Sequence, residues 1–458
     1  MGQPIKILAP CGMLGYGFPE SSFLEGMAHE PHAIVVDAGS TDAGPHKLGA
    51  GVGIVSRRAT KKDLQHILVN GLRNKIPIII GSAGGAGARP HVKWTLEIIQ
   101  EILKEQHLSA KMAVIWADIP NEMVLNANKR GKVIPLSPNV PHLNELTITQ
   151  TNGVVAQMGH EPIVKALENG AEIIICGRAY DPSPFAAIGI FHGKDPALAY
   201  HLGKILECGA LCAEPGTTKD CMLGIIEDQS FIVRALNPER KCTAVSVAAH
   251  TFYEKEHPFL LRGPGFTLDL ENCEFIEKEN GVVEVTKSRF IKNEVYQIKL
   301  EGARRVAYRT FTIAGIRDPI LLDSLTVVEN EVIVQVHKYY PEIHKEDYKI
   351  NFINYGMNGV LGEREPASFS GHEVGVVLEV VAKTQELASS ICATARSTLL
   401  HFGYENRKST AGNLAFPFAP SDIDFGPVYE FSVYHLMEIQ DSPFQIEYLT
   451  GGKDDQII

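Results

Sequence analysis

Four stretches of the chain place reactive side chains directly after short apolar runs. The run at 76–80 leads into Gly81-Ser82-Ala83-Gly84-Gly85-Ala86-Gly87-Ala88-Arg89, backbone free of bulky side chains that ends beside a guanidinium. Such a turn, followed by a helix, presents amide N–H groups to an anion, so Ser82, Gly84, Gly85, Gly87 and Arg89 are candidate substrate-binding residues. The spacing is neither the dinucleotide G-x-G-x-x-G nor a phosphate loop ending in Gly-Lys-Ser/Thr, and a tight turn selected for packing has the same composition. A second glycine-rich turn, Cys11 to Gly17, adds Gly12 and Gly15 as candidates. A third, Asp37-Ala38-Gly39-Ser40-Thr41-Asp42, offers Asp37 as a proton carrier and Ser40 and Thr41 as substrate contacts, although Asp and Ser also serve as helix caps.

The fourth stretch, Gly177-Arg178-Ala179-Tyr180-Asp181, groups a guanidinium, a phenol and a carboxylate. An arginine fork suits a substrate carboxylate while aspartate or tyrosine moves the proton; the competing reading is an Arg178–Asp181 ion pair that only shapes the loop. Further on, His250 and Glu254 have a spacing that shares one helix face and forms a candidate acid/base pair. Asp37, Asp42 and Asp118 together allow a third reading, a metal-dependent lyase with a divalent cation. Cys208 and Cys212 lack a paired Cys-x-x-Cys or flanking histidines, so buried thiols explain them without zinc. No G-x-S-x-G elbow is present, and no cofactor is predicted.

These residues need a scaffold that brings strand ends together. Apolar runs at 5–9, 33–36, 76–80, 113–116, 154–156 and 172–176 alternate with amphipathic stretches at 61–72, 94–105 and 161–169. That alternation predicts an α/β fold, with an N-terminal doubly wound, mostly parallel sheet over residues 1–220, a Rossmann-like domain carrying the glycine-rich turns at its strand ends. From about Cys221 the pattern turns to alternating runs at 231–236, 282–286, 294–300 and 327–336, which predicts a C-terminal α+β domain over 221–458 and a cleft between the two. A strand and helix over 373–402 and a last strand at 428–436 complete it.

The chain has 458 residues, with 43 basic and 54 acidic side chains and a formal charge of −11, which argues against a phosphate-backbone binder. With 45% hydrophobic and 21% charged residues it is of ordinary globular composition. Neither a secretory leader nor a run of about 18 apolar residues is visible, so a cytoplasmic protein without membrane or nucleic-acid partners is expected. Its eight cysteines are expected to be reduced.

The motifs IIIGSAGGAGARPH (78–91), CGRAYDPSPFA (176–186), AAHTFYEKEHPF (248–259), GPGFTLDL (263–270) and YRTFTIAGIRDP (308–319) together resemble the acyclic terpene utilisation family, AtuA-type proteins. The resemblance spans about residues 5–440. It implies a place in catabolism of compounds such as citronellol and geraniol, beside acyl-CoA carboxylation enzymes, and brings no established catalytic residues. The opening segments CGMLGYGFPESSF (11–23) and VVDAGSTDAGPH (35–46) depart from the terpene-pathway type. Taken together, the residues predict a lyase of the hydro-lyase (hydratase) type acting on a small carboxylate or acyl-CoA, as a homo-oligomer. The alternative from another class is a non-catalytic acyl-CoA-binding or assembly subunit working with a small protein partner.

Overall fold

A computed structural model describes residues 2–39, 44–253 and 257–452. Its organising element is a ten-stranded mixed sheet. Five parallel strands form the middle, in the spatial order Ile5–Ala9, Ala33–Asp37, Ile78–Gly81, Ile173–Cys176 and Ala110–Trp116. Their sequences are nearly continuous apolar runs because both faces are covered. Leu8, Ile34, Val36, Ile78, Ile80 and Ile175 pack on one side with Leu64, Ile67, Val92 and Ile98 from the helices Arg57–Arg73 and Arg89–Glu105. Ile7, Val35, Ile79 and Ile174 pack on the other with Ile163, Phe185, Ile188 and Leu202, from the helices Glu161–Glu168, Ser183–Phe191 and Pro196–Leu206. Each fully buried isoleucine or leucine stabilises by about 1.5–3 kcal/mol, so this double cover is the main driving term for the fold.

The expectation of a mostly parallel sheet holds for these five strands alone. Met222–Ile226 pairs antiparallel with the first strand and Gln445–Gly451 pairs antiparallel with Ala110–Trp116, so both edges of the parallel set are extended in the other sense. Ser230–Ala235, Val282–Thr286 and Glu274–Lys278 continue beyond Met222–Ile226. Strands after residue 220 thus complete the first sheet. The chain divides into compact units at 304/305 and 430/431 instead: Met1–Arg304 with Phe431–Ile458, and Arg305–Glu430. Gly153–Ala156, expected beside the other parallel strands, pairs instead with Asp118–Ile119 and with Leu300–Ala303 of the long strand Gln297–Ile316.

The second unit has a β-α-β-β-α-β order: residues 305–316, helix Pro319–Tyr339, strands Tyr348–Tyr355 and Val374–Ala382, helix Gln385–His401 and residues 422–430. Val327–Val336, expected to be a strand from its alternating pattern, lies inside the first of these helices. The Asp318 side chain accepts the Ile320 and Leu321 N–H groups, Pro319 opens the helix, and Leu321, Leu325, Val328, Val332 and Val336 recur at helical spacing on the buried face. Cap and helical spacing outweigh the local alternation.

One polar pair lies inside that packing. Glu329 is buried on the helix and accepts from Asn354 Nδ2 at 2.9 Å, and burial raises its carboxyl pKa to about 7. A carboxyl raised on folding stabilises most when protonated, and that contribution is lost as pH rises from its ordinary range through about 7. Glu329→Gln should therefore raise Tm by a few degrees at pH 8 and change it little at pH 5, as read by differential scanning calorimetry. Equal effects at both values would count against the buried-acid assignment.

Candidate functional site

In an open α/β sheet the residues just past the carboxyl ends of the parallel strands share one edge. Here those positions are Asp37, Ser82 and Arg178, and they meet. Gly39 approaches Ser82 and Arg178 so closely that a Cβ on it would lie 2.3 Å from Ser82 Cβ and 3.0 Å from Arg178 Nη1. Ser82 Oγ accepts from Arg178 Nη1 and from the Ala179 N–H, both at 3.1 Å.

Arg178 organises the edge. It is only 2% exposed and its donors are almost all used: Nε to Glu301 Oε2 at 2.8 Å, Nη2 to Glu301 Oε1 at 3.5 Å, and Nη1 to Asp181 Oδ1 at 3.2 Å as well as to Ser82. Burial opposes its charge, but the Glu301 and Asp181 carboxylates outweigh burial and keep the guanidinium protonated. Glu301 in turn accepts from Gln157 Nε2 and pairs with Lys299 at 3.0 Å. Burial disfavours the charged Glu301 carboxylate, yet the Arg178 and Lys299 cations hold it below the ordinary range.

A second charged pair completes the cluster. The last turn of the helix Pro196–Leu206 carries Lys204, whose Nζ lies 2.5 Å from Glu207 Oε1 and over the Tyr253 ring at 4.7 Å. Tyr253 Oη contacts Cys208 Sγ at 3.0 Å and its ring stacks on His250 at 4.8 Å. Burial, with the Lys204 cation adding to it, lowers the His250 pKa to about 4, so the imidazole is neutral at physiological pH, and its Nε2 is buried without a hydrogen-bond partner among the described residues. The Cys208 thiol is pushed up to about 12, by burial first and then by Glu207.

Asp37 closes the centre. It is buried at the end of its strand; Oδ2 accepts the Gly39 N–H at 3.3 Å while Oδ1 has no hydrogen-bond partner among the described residues. Burial raises its pKa well above the usual carboxylate range, Asp181 and Glu207 reinforce this, and Arg178 only partly offsets it. Tyr180 Oη is likewise buried without a hydrogen-bond partner, with its pKa raised by burial and then by Glu207. Its ring packs against Phe266 and Tyr200, at 6.1 and 6.3 Å between centroids. Asp181 is the member open to water, 37% exposed.

A sequence model described as acyclic terpene utilisation family protein AtuA matches residues 57–405. The chain belongs to this family. No curated protein and no solved structure matches it. Four of the five motifs that carry the resemblance converge on the cluster: 78–91 through Ser82, 176–186 through Arg178, Tyr180 and Asp181, 248–259 through His250 and Tyr253, and 263–270 through Phe266.

Several expected roles change in this AtuA-family chain. Arg178 is committed to Glu301, Ser82 and Asp181 rather than forked toward a substrate carboxylate. Arg89 lies over the Trp116 ring at 4.1 Å, with its N–H donated to Asp118 Oδ1. The glycine-rich turn is a packed turn: a Cβ on Gly87 would lie 2.2 Å from Arg178 N, one on Gly85 2.5 Å from Ile54, and one on Gly84 2.8 Å from His91, while the Ala83, Gly85 and Gly87 N–H groups bond within the chain. Gly12 packs against the Cys208 backbone, and its N–H donates to Thr218 O. The Gly15 and Gly17 N–H groups both donate to Asp63 Oδ2, at 2.8 and 3.0 Å, so the chain's own carboxylate occupies that cradle. Ser40, Thr41, Asp42 and Glu254 lie outside the described residues.

Lys204, Glu207 and Glu301 were not singled out by sequence reasoning. Glu301 acquires its role from Arg178 on another element, while Lys204 and Glu207 pair three residues apart at the end of one helix and only the fold sets them beside Tyr253. Replacing Glu301 by Gln leaves the Arg178 guanidinium buried with its main counter-charge gone, which should destabilise the first unit by about 3–5 kcal/mol in urea denaturation. A loss below about 1 kcal/mol would show that the pair is not what holds Arg178 in place.

Proposed function

We propose that this protein is an acid/base enzyme that adds or removes water at the carbon pair next to a carbonyl of a small carboxylate or acyl-CoA. The observation that carries this reading is the Asp37 carboxyl: buried at a strand end, kept toward its protonated form, and with Oδ1 lacking a hydrogen-bond partner among the described residues. A carboxylic acid held neutral in a dry site is a proton donor, and a buried imidazole held neutral is a proton acceptor. Asp37 and His250 are such a pair, with the Lys204–Glu207 pair felt by both.

In the dehydration direction His250 Nε2 takes the proton from the carbon next to the carbonyl. The electron pair left behind forms the carbon–carbon double bond as the hydroxyl on the next carbon departs. Asp37 delivers its proton to that oxygen, so the leaving group is water. Tyr180 Oη donates a hydrogen bond to the carbonyl oxygen as negative charge builds on it. Asp181, open to solvent, returns protons between turnovers. Hydration is the reverse. The family membership supports a substrate from acyclic terpenoid catabolism, and the acyl-CoA form supplies the acidified carbon that the mechanism needs.

The test is a panel of enoyl- and 3-hydroxyacyl-CoA thioesters with branched chains, and the corresponding free acids, followed by absorbance of the conjugated double bond. Activity requires Asp37 protonated and His250 neutral, so kcat/KM should fall below about pH 4 and fall again as pH rises above the ordinary carboxylate range. Asp37→Asn and His250→Gln should each lower kcat by roughly 10²–10⁴-fold with the fold retained. Turnover undiminished in both variants would overturn the assignment. Tight thioester binding without conversion by the unaltered protein would make it a binding subunit.

A further inference from the structure

The fifth motif of the resemblance, YRTFTIAGIRDP, takes no part in the cluster above. It ends on a cavity of about 630 Å³ in the second unit, lined by Gly315, Arg317, Asp318, Glu373, Gly375 and Arg407 among others. That volume lies within the range of small-molecule sites.

The two glycines are the first clue. Gly315 and Gly375 are directly opposed in the register of neighbouring antiparallel strands. Glycine inside a strand costs roughly 0.5–1 kcal/mol relative to alanine, so it normally marks a backbone or packing need. Neither need is present here. Neither residue has a left-handed φ, and a Cβ would meet nothing nearer than 3.9 Å at either position. Gly84, Gly85 and Gly87 of the first unit differ on both counts. The pair leaves a strip of bare backbone as a cavity wall where a Cβ would fit.

The charged groups are the second. Arg407 is fixed by its own chain: Nη1 donates to His401 O and Phe402 O, and Nη2 to Ala411 O, while Nε is buried without an acceptor among the described residues. The wall that carries it is pinned as well, Asn413 Nδ2 donating to Leu399 O and Phe402 O at 2.8 and 3.0 Å. Arg317 faces the same cavity, 69% exposed, with Glu373 as a loose partner at 3.7 Å. Asp318 does not compete for a cation, since its carboxylate caps the following helix. A pre-formed hollow lined by one fixed arginine and one weakly engaged guanidinium matches a negatively charged ligand.

We infer that the second unit holds a binding site for a small organic anion, a carboxylate or phosphate ester, whose uncharged body rests on the Gly315–Gly375 strip and whose anionic group meets Arg317 and Arg407. It is independent of the acid/base centre.

Isothermal titration calorimetry on the full chain tests this with benzoate, adenosine 5′-monophosphate and inorganic phosphate alone. Saturable one-to-one binding of benzoate or the nucleotide is expected, at least tenfold tighter than inorganic phosphate. Arg317→Ala, at an exposed position, should weaken it at least tenfold. Gly375→Leu, which fills the strip and leaves the charges, should do the same, whereas Asp37→Asn should leave it unchanged. Which probe binds tells a carboxylate site from a phosphate-ester site. Absence of binding by every probe at 10 mM, as an order-of-magnitude ceiling, binding of inorganic phosphate as tight as that of the organic anions, or binding that survives Arg317→Ala would each overturn the inference. Should Gly375→Leu fail to fold by circular dichroism, Gly315→Ala takes its place, with weakened binding expected and unchanged binding adverse.

Discussion

Everything at the strand edge follows from one constraint: a guanidinium buried among apolar side chains must be neutralised from several directions. Taking an arginine out of water costs several kcal/mol, and only well-aligned carboxylates return that energy. Arg178 sits at the carboxyl end of its strand because the chain turns there, and its principal counter-charge, Glu301, arrives from a strand more than a hundred residues later. That pairing ties the parallel sheet to the separate ladder formed by Leu300–Ala303 with Gly153–Ala156. The ion pair therefore fixes position as well as charge.

The same balance decides the state of Asp37. Arg178, Lys204 and Lys299 are matched against Glu301, Glu207 and Asp181 through direct contacts. Asp37 is the acid left over. Ionising it would add an uncompensated negative charge to a dry cluster that already holds Asp181 and Glu207, so its pKa is held well above the usual carboxylate range. An arginine less heavily engaged would have drawn Asp37 into an ordinary salt bridge and removed the acid. The saturation of Arg178 thus makes it unsuitable as a substrate clamp and makes Asp37 suitable as a donor.

Much of this was legible from sequence, for a reason that also explains the gaps. Strand ends are marked locally by an apolar run that stops at Gly, Asp or Arg, and Asp37, Ser82 and Arg178 were found that way. Local composition does not say what a residue faces. The glycines after Ile80 have the make-up of an anion cradle, but their neighbours His91, Ile54 and Arg178 demand the absence of a Cβ, and packing alone accounts for them. Gly15 and Gly17 do form an anion cradle, filled by Asp63 from the helix Arg57–Arg73. Glu301 reveals itself only through Arg178, a partner distant in sequence. The helix Pro319–Tyr339 carries its own start signal, a capping aspartate followed by proline, which outweighs the alternating run at 327–336.

Neutral acid and neutral base is also the arrangement best suited to a closed site. In the proposed reaction Asp37 starts as the neutral acid and His250 as the neutral base, and the carboxylate and imidazolium appear together, near a cluster that already contains both signs. The charge separation such a reaction creates would be met by fixed dipoles and ion pairs rather than by solvent that would have to enter and reorganise. A free arginine in the same place would favour the carboxylate permanently, and a free carboxylate would favour the imidazolium permanently. Keeping both groups poised requires that every other charge already have a partner, which is what the Arg178–Glu301 and Lys204–Glu207 pairs provide.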